Sequence, residues 1–186
     1  DLIFNNFIKT FFKKNKNINK KNCFYSFSYN LVSINKKLSV DRLYGKTPIS
    51  DKKEDNFYLI KVEKYRDFFF NKKKYLKKFN NLNLDYCILD QYISLFEIIN
   101  IYLFSYKIFL NCIYRFHLKK FFFKINKKDC YNVLYPYFLD SFSVSTQRSL
   151  ISSKAMNNFC KSNDKLNFFI NYLEFNPGFV ATNYFV

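Results

Sequence analysis

The sequence predicts an α/β chain, a parallel sheet with flanking helices, preceded by a basic extension. Three observations predict it. From residue 84 onward, short apolar runs alternate with long periodic ones in the order strand–helix–strand–helix–strand, as in parallel sheets built from right-handed crossovers. The longest periodic segment, Gln91–Asn111, places Ser94, Glu97, Asn100, Lys107 and Asn111 on one side of a helix and Ile, Leu, Phe and Tyr on the rest. The run "LNFFINYL" at 166–173 alternates Leu166, Phe168, Ile170 and Tyr172 with mostly polar neighbours.

The elements follow in chain order. Residues 1–56 are rich in Lys, Asn and Ser without a sustained period, so they read as a low-complexity extension holding at most a short strand over Ser26–Ile34. Gly45, Pro48 and "SDKKED" punctuate its end. Residues 57–186 read as the α/β part. Its first stretch, 57–80, reads as helix and then basic loop. "LDYCIL" (84–89) is a strand, and Gln91–Asn111 is an amphipathic helix with a wide buried face. A basic, aromatic insert occupies roughly 115–137. "FLDSFSV" (138–144) is a second strand. Ser145 or Thr146 then caps the helix "TQRSLISSKAMNNFC", in which Ile151, Ala155 and Phe159 share a face. Leu166–Leu173 is the third strand.

Charge narrows the function. The formal net charge is +17, well beyond what solubility requires, and so large an excess repels itself unless a polyanion neutralises it. The cations are segmented. Residues 1–40 carry eight Lys, 61–80 carry seven Lys and Arg66, and 107–129 carry six Lys and Arg115. Such blocks suit several contacts with one anionic surface, each neutralised phosphate adding affinity through counterion release. Phe and Tyr interleave with the lysines in "FFKKNK" and "FFFNKKKYLKKF". At most single positions such rings are core residues, but exposed ones can stack on unpaired bases.

Catalytic chemistry has little to work with. Cys23, Cys87, Cys112, Cys130 and Cys160 form no CxxC pair, which suits reduced thiols in a reducing compartment. His117 is the lone histidine, leaving almost nothing for a metal site or a histidine-based triad, and it reads as surface or RNA-facing. With glycine only at 45 and 178, no Gly-rich phosphate loop is possible. No enzyme activity, cofactor, metal or small-molecule substrate is expected. The apolar stretch around Ile88–Tyr114 is interrupted by Asp90, Glu97 and Lys107, so a membrane span is not expected either. "DLIFNNFIKTFFKKNK" lacks a small-residue cleavage site and is not read as a signal peptide. Phe, Tyr, Lys, Asn and Ile make up more than half the chain. They share AT-rich codons, which points to an organellar gene.

Several stretches resemble one family. "YCILDQYISLFEIINIYLFSY" resembles the place in the bacterial and organellar small-subunit ribosomal protein S-two family where a strand ending Asn-Leu-Glu feeds the first long helix, with Leu89 and Asp90 standing at Leu-Glu. "SVSTQRSLISSKAM" resembles the family's hydrophobic-Val-Gly-Thr-Lys-Arg and following helix. Val144, Thr146 and Arg148 match, and Ser145 replaces the glycine. "FFINYLEFNPGFVATNY" resembles its third strand and turn, through Phe175, Gly178, Thr182 and Asn183. "FFFNKKK" resembles its aromatic-Asn-Pro-Lys loop, with Lys72 at the proline and Asn71 one residue off the family's spacing to Asp90. The family's Gly-His pair has no counterpart. The likeness covers roughly 68–186 and the family's N-terminal half.

The resemblance implies a partial flavodoxin-like parallel sheet and a structural role in the small subunit of a mitochondrial ribosome, in the mitochondrial matrix, binding rRNA and supporting assembly and translation. The implied partners are small-subunit rRNA, neighbouring ribosomal proteins and a second polypeptide completing the sheet, since in the family the turn at Pro177–Gly178 leads into further strands and helices. The residues expected to hold phosphates are Lys72, Lys73, Lys74, Lys77 and Lys78, then Lys119, Lys120, Lys127 and Lys128, and the run Lys13, Lys14, Lys16, Lys20 and Lys21. The alternative is an accessory subunit of a respiratory-chain or ATP synthase complex, with the Gln91–Asn111 helix at the membrane.

Overall fold

Alternation with a period of two sorts the side chains of three strands onto opposite sides of one sheet. Cys23, Tyr25 and Phe27, with Phe57, Leu59 and Cys87, are buried on one side. Phe24, Tyr58, Ile60 and Ile88 are buried on the other. Strands buried on both faces are characteristic of parallel sheets inside α/β proteins. The structure, a computed structural model, describes residues 22–34, 38–46, 55–62, 65–118, 124–125, 128–140, 142–163, 166 and 168–170.

The strands are β1 (Asn22–Phe27), β2 (Leu31–Ser33), β3 (Ser39–Asp41), β4 (Asn56–Lys61), β5 (Asp85–Ile88), β6 (Lys124–Ile125), β7 (Lys128–Asp129) and β8 (Phe168–Ile170). The helices are α1 (Tyr65–Phe70), α2 (Lys72–Asn80), α3 (Leu95–Leu118), α4 (Tyr131–Asp140) and α5 (Val144–Ser162). Four strands form the main sheet in the order β5-β4-β1-β8. Every neighbouring pair is parallel, with Asn22 opposite Asn56 and Phe168, and Phe57 opposite Asp85. β2–β3 and β6–β7 are separate antiparallel pairs. This is the α/β class the sequence predicts, a partial flavodoxin-like parallel sheet with flanking helices.

Strand order explains where the helices lie. From β1 through β4 to β5 the chain steps one way, then crosses back to β8 on the far side of β1. Crossovers of one hand put the connections of these two directions on opposite faces. Leu31 and the α1–α2 residues Phe68, Tyr75 and Phe79 accordingly share one core. Ile98 of α3 and Ile151, Ala155, Met156 and Phe159 of α5 share the other. Phe159 is the hub of the second core, tilted against Phe57 at 6.2 Å and edge-on to Tyr92 at 5.1 Å.

Several sequence expectations are corrected. The boundary at residue 56 cuts through the fold, because Asn22–Phe27, inside the expected extension, is an inner strand. The expected strand at Ser26–Ile34 covers only the last two residues of β1, then a 3-10 turn over Ser28–Asn30, and β2. The start of 57–80 is strand β4, not helix, and its basic part is helix α2, not loop. "FYLIK" is a short continuous apolar run, and periodicity alone does not separate a buried strand from a buried helix in such a run. Residues 138–144 are not a strand. Phe138–Asp140 end α4, and Ser143 stands at the N-cap position of α5 without a side-chain capping bond, upstream of the expected Ser145 or Thr146. The 115–137 insert is the end of α3, the β6–β7 pair and most of α4. The third strand is described over Phe168–Ile170, and the Pro177–Gly178 turn lies outside the described residues.

The long helix is displaced to Leu95–Leu118, and its buried face is narrow rather than wide. Ile98 and Ser105 are buried, and Ile101 and Tyr102 pack against the core. Phe96, Ile99, Leu103, Phe104, Tyr106, Leu110 and Tyr114 are exposed. Farther along, Phe109 meets Phe142 edge-on at 5.2 Å, tying the α4–α5 turn to α3.

Candidate nucleic-acid interface

The basic segment "KKKYLKKF" becomes helical because two aromatic residues one turn apart anchor it. Tyr75 and Phe79 are buried and meet Phe68 of α1 at ring-centroid distances of 5.0 and 6.1 Å. With that side fixed, helical geometry turns Lys73, Lys74 and Lys77 to the opposite side, where all three are exposed. The first turn of α2 holds Lys72, Lys73 and Lys74 and no acid. Cations at a helix N-terminus oppose the macrodipole, at a cost of roughly 0.3–1 kcal/mol each at low salt.

The corner between α1 and α2 is fixed by one carboxylate. Asp67 accepts a hydrogen bond from the Asn71 side-chain amide at 2.7 Å and another from the Tyr75 hydroxyl. The Asn71 backbone N–H donates to the Asp67 carbonyl at 2.9 Å. Burial, then the hydrogen bond to Asp67, raises the Tyr75 phenol, so it stays a neutral donor. Asp67 is the sole acid in residues 65–80.

The fourteen expected lysines separate clearly. Lys73, Lys74 and Lys77 form one exposed face, with Lys72 half-buried beside it. Lys78 is committed inward. Its Nζ donates to the Leu31 carbonyl at 2.6 Å and lies 5.5 Å from the Tyr75 ring centre. Burial, then repulsion from Lys74, lowers its pKa, against the opposing pull of Asp67. It joins α2 to β2, a role the sequence reading missed because Leu31 is 47 residues away. Lys13, Lys14, Lys16, Lys20, Lys21, Lys119, Lys120 and Lys127 lie outside the described residues, and Lys128 opens β7.

Sequence reasoning also left two aromatic residues unassigned. Phe68 points into the core at 1% exposure, whereas Phe69 and Phe70 are 41% and 73% exposed beside the lysine face. No periodic signal could have found them, because the corner at Asn71 separates Phe68 on α1 from Tyr75 and Phe79 on α2.

At the carboxyl ends of the strands, where doubly wound sheets bind small ligands, polar side chains of the described residues bond to the chain itself. Asp41 is fully buried. It accepts the Ser26 hydroxyl and the backbone N–H groups of Leu43 and Tyr44 at 2.7 and 3.1 Å. Gly45 closes this turn at a φ of 59°, a left-handed conformation glycine adopts without strain. The Tyr44 hydroxyl then reaches the carbonyls of Tyr25 at 2.8 Å and Ile170 at 3.0 Å, straddling β1 and β8 where the strand order reverses. Asp90, also buried, accepts the Val62 N–H at 3.0 Å.

All five cysteines are free. Burial pushes the Cys23 thiol well up and the Cys87 thiol to about 12, so both are neutral core groups. Among the described residues, no cluster of His, Cys, Asp and Glu could hold a metal ion. Comparison with family models, curated proteins and solved structures finds no match to this chain.

Proposed function

We propose that this chain is a structural, RNA-binding constituent of the small subunit of a mitochondrial ribosome, holding rRNA through lysine side chains and supporting subunit assembly and translation. The observation that carries the reading is the outer face of α2, where Lys73, Lys74 and Lys77 stand exposed and the sole acid of the corner is engaged by Asn71 and Tyr75. Such a face binds phosphates without reading sequence. The net charge of +17 and the family resemblance support it. Neighbouring ribosomal proteins, or a second polypeptide extending the sheet, would meet β8, which ends the described sheet on one side.

A second reading is favoured by one specific feature. Leu95–Arg115 is long and apolar enough to cross a membrane, and 11% of its most apolar stretch is buried. In that reading the chain is an accessory subunit of a respiratory-chain or ATP synthase complex. Fractionation separates the two. The ribosomal reading expects co-sedimentation with small-subunit rRNA on a sucrose gradient and release by high salt. Retention in the carbonate-resistant membrane pellet, with none on the gradient, would overturn it.

A further inference from the structure

The α1–α2 corner leaves the Phe70 ring largely in solvent. Its geometry comes from Asp67, Asn71 and Tyr75, and its packing from Phe68. Phe70 nevertheless stands 73% exposed, with Phe69 against it at a centroid distance of 5.6 Å and an interplanar angle of 89°. Arg66, one turn before Phe70, is also exposed, and Lys73, Lys74 and Lys77 follow within two turns. A Phe side chain left in water forgoes the stabilisation that burial of its ring would bring.

We propose that Phe70, braced edge-on by Phe69, stacks on an unpaired nucleobase of RNA while Lys73, Lys74 and Lys77 hold the flanking phosphates, so that this corner prefers single-stranded to duplex RNA. The inference rests on the RNA reading above and names the form of RNA. Lysines alone would suit any polyanion. An exposed ring among them suits a ligand that alternates anions with flat apolar faces, as an unpaired strand does. In a duplex those faces are stacked on one another and closed to the ring. A membrane surface would call for a broad apolar face interleaved with the cations, and this corner offers two adjacent rings.

The chain contains no tryptophan, so Phe70→Trp in the full chain introduces a single indole reporter. A short unstructured single-stranded RNA should quench its fluorescence at saturation, and inorganic polyphosphate, which engages lysines alone, should not. Phe70→Ala should weaken binding of that strand by about tenfold or more and change duplex binding by less than about twofold. The triple variant K73A/K74A/K77A should weaken both. Far-UV circular dichroism and the urea midpoint of Phe70→Ala should match wild type, since the ring is exposed. If Phe70→Ala leaves single-strand binding intact while the lysine variant weakens it, stacking is wrong and the RNA reading stands. If Phe70→Ala weakens single strand and duplex alike, the ring does not stack and the proposal fails. If neither RNA binds at low salt, the RNA reading itself fails. A blue shift of the indole on phosphatidylglycerol vesicles, without quenching by RNA, would reassign the corner to lipid.

Discussion

Replacing Glu97 by glutamine should remove a pH-dependent clamp between α3 and α5. Glu97 Oε2 accepts the Ser94 N–H at 2.7 Å and the Ser94 hydroxyl at 2.9 Å, and its own N–H donates back to Ser94 Oγ at 3.1 Å. This reciprocal pattern is a capping box at the start of α3. The other oxygen, Oε1, accepts the Asn158 amide at 3.0 Å and lies 3.6 Å from Lys154 Nζ, both on α5. Burial alone would raise the carboxyl pKa. The Ser94 amide, the Asn158 amide, the Ser94 hydroxyl and Lys154 outweigh it and hold the group down to about 2, against an ordinary 4.5. At 1.36 kcal/mol per pKa unit that gap converts to at most about 3.4 kcal/mol. Glu97 is 29% exposed and Lys154 42%, so solvent screening reduces the expected contribution to about 1–2 kcal/mol. A depressed carboxylate stabilises fully above its unfolded pKa and loses that stability as pH falls through the folded one. Wild type should therefore exceed Glu97→Gln by about 1–2 kcal/mol near pH 7, with the difference shrinking below about pH 5 and vanishing near about pH 2. Urea unfolding followed by far-UV circular dichroism at several pH values measures it. A difference that stays constant down to about pH 2, or is near zero at neutral pH, would refute the reasoning.

Other substitutions test the core and the division of labour among the lysines. Phe159→Ala, at a fully buried ring packed on Phe57 and Tyr92, should cost about 3–5 kcal/mol in urea unfolding, and a loss below about 1 kcal/mol would contradict that packing. Asp90→Ala strips the acceptor from the Val62 N–H and should cost about 1–3 kcal/mol by the same measurement; no measurable loss would show that the bond is not made in solution. Lys78→Ala should destabilise the chain by about 1 kcal/mol through the lost bond to the Leu31 carbonyl, whereas Lys73→Ala should stay within about 0.5 kcal/mol of wild type. Equal effects at the two positions would erase the distinction between an inward and an outward lysine. Under native conditions a maleimide should label Cys112 and Cys130, which are partly accessible, well before Cys23 and Cys87, whose thiols burial keeps protonated. Early labelling of Cys23, read by peptide mass spectrometry, would mean that β1 is open.

The parts of the fold visible in the sequence are those whose pattern is long or strictly periodic. Ile151, Ala155 and Phe159 were legible as one face of a helix, and all three are buried in the core as expected. Strand β5 was legible because "LDYCIL" is short, apolar and bounded. β1 was not, because "NCFYSFSY" alternates aromatic residues on both faces with small polar ones, within a lysine- and asparagine-rich stretch that reads as disordered. Its partner β4 lies thirty-four residues away in register, a relation no local window contains. The lysine face of α2 was legible as composition but not as geometry. Only the burial of Tyr75 and Phe79 decides that Lys73, Lys74 and Lys77 turn outward while Lys78 turns in. The narrow contact of α3 was hidden for a different reason. Hydrophobicity around most of a helix signals burial on average, yet here the sheet covers one stripe.

The sides on which these surfaces lie discriminate between the two functional readings. α1 and α2 pack on one side of the sheet and α3 and α5 on the other, as the two separate cores require. The exposed lysine face of α2 and the exposed apolar face of α3 therefore belong to opposite layers of the molecule. A helix that lies on an anionic bilayer places cations along the border of its own apolar face, so that both are engaged at once. Across Leu95–Arg115 the basic residues are Lys107 and Arg115 alone, and Glu97 opposes them. Docking α3 on lipid would leave Lys73, Lys74 and Lys77 on the far side of the sheet, facing away from the anionic surface. The same arrangement suits a protein seated between RNA and another polypeptide. On the proposed reading, one layer would offer the exposed lysines and Phe70 to RNA, and the other would offer the exposed apolar side chains of α3 to a protein neighbour. Among the described residues, the placing of the α2 lysine face and the α3 apolar face on opposite sides of the sheet thus favours the ribonucleoprotein reading.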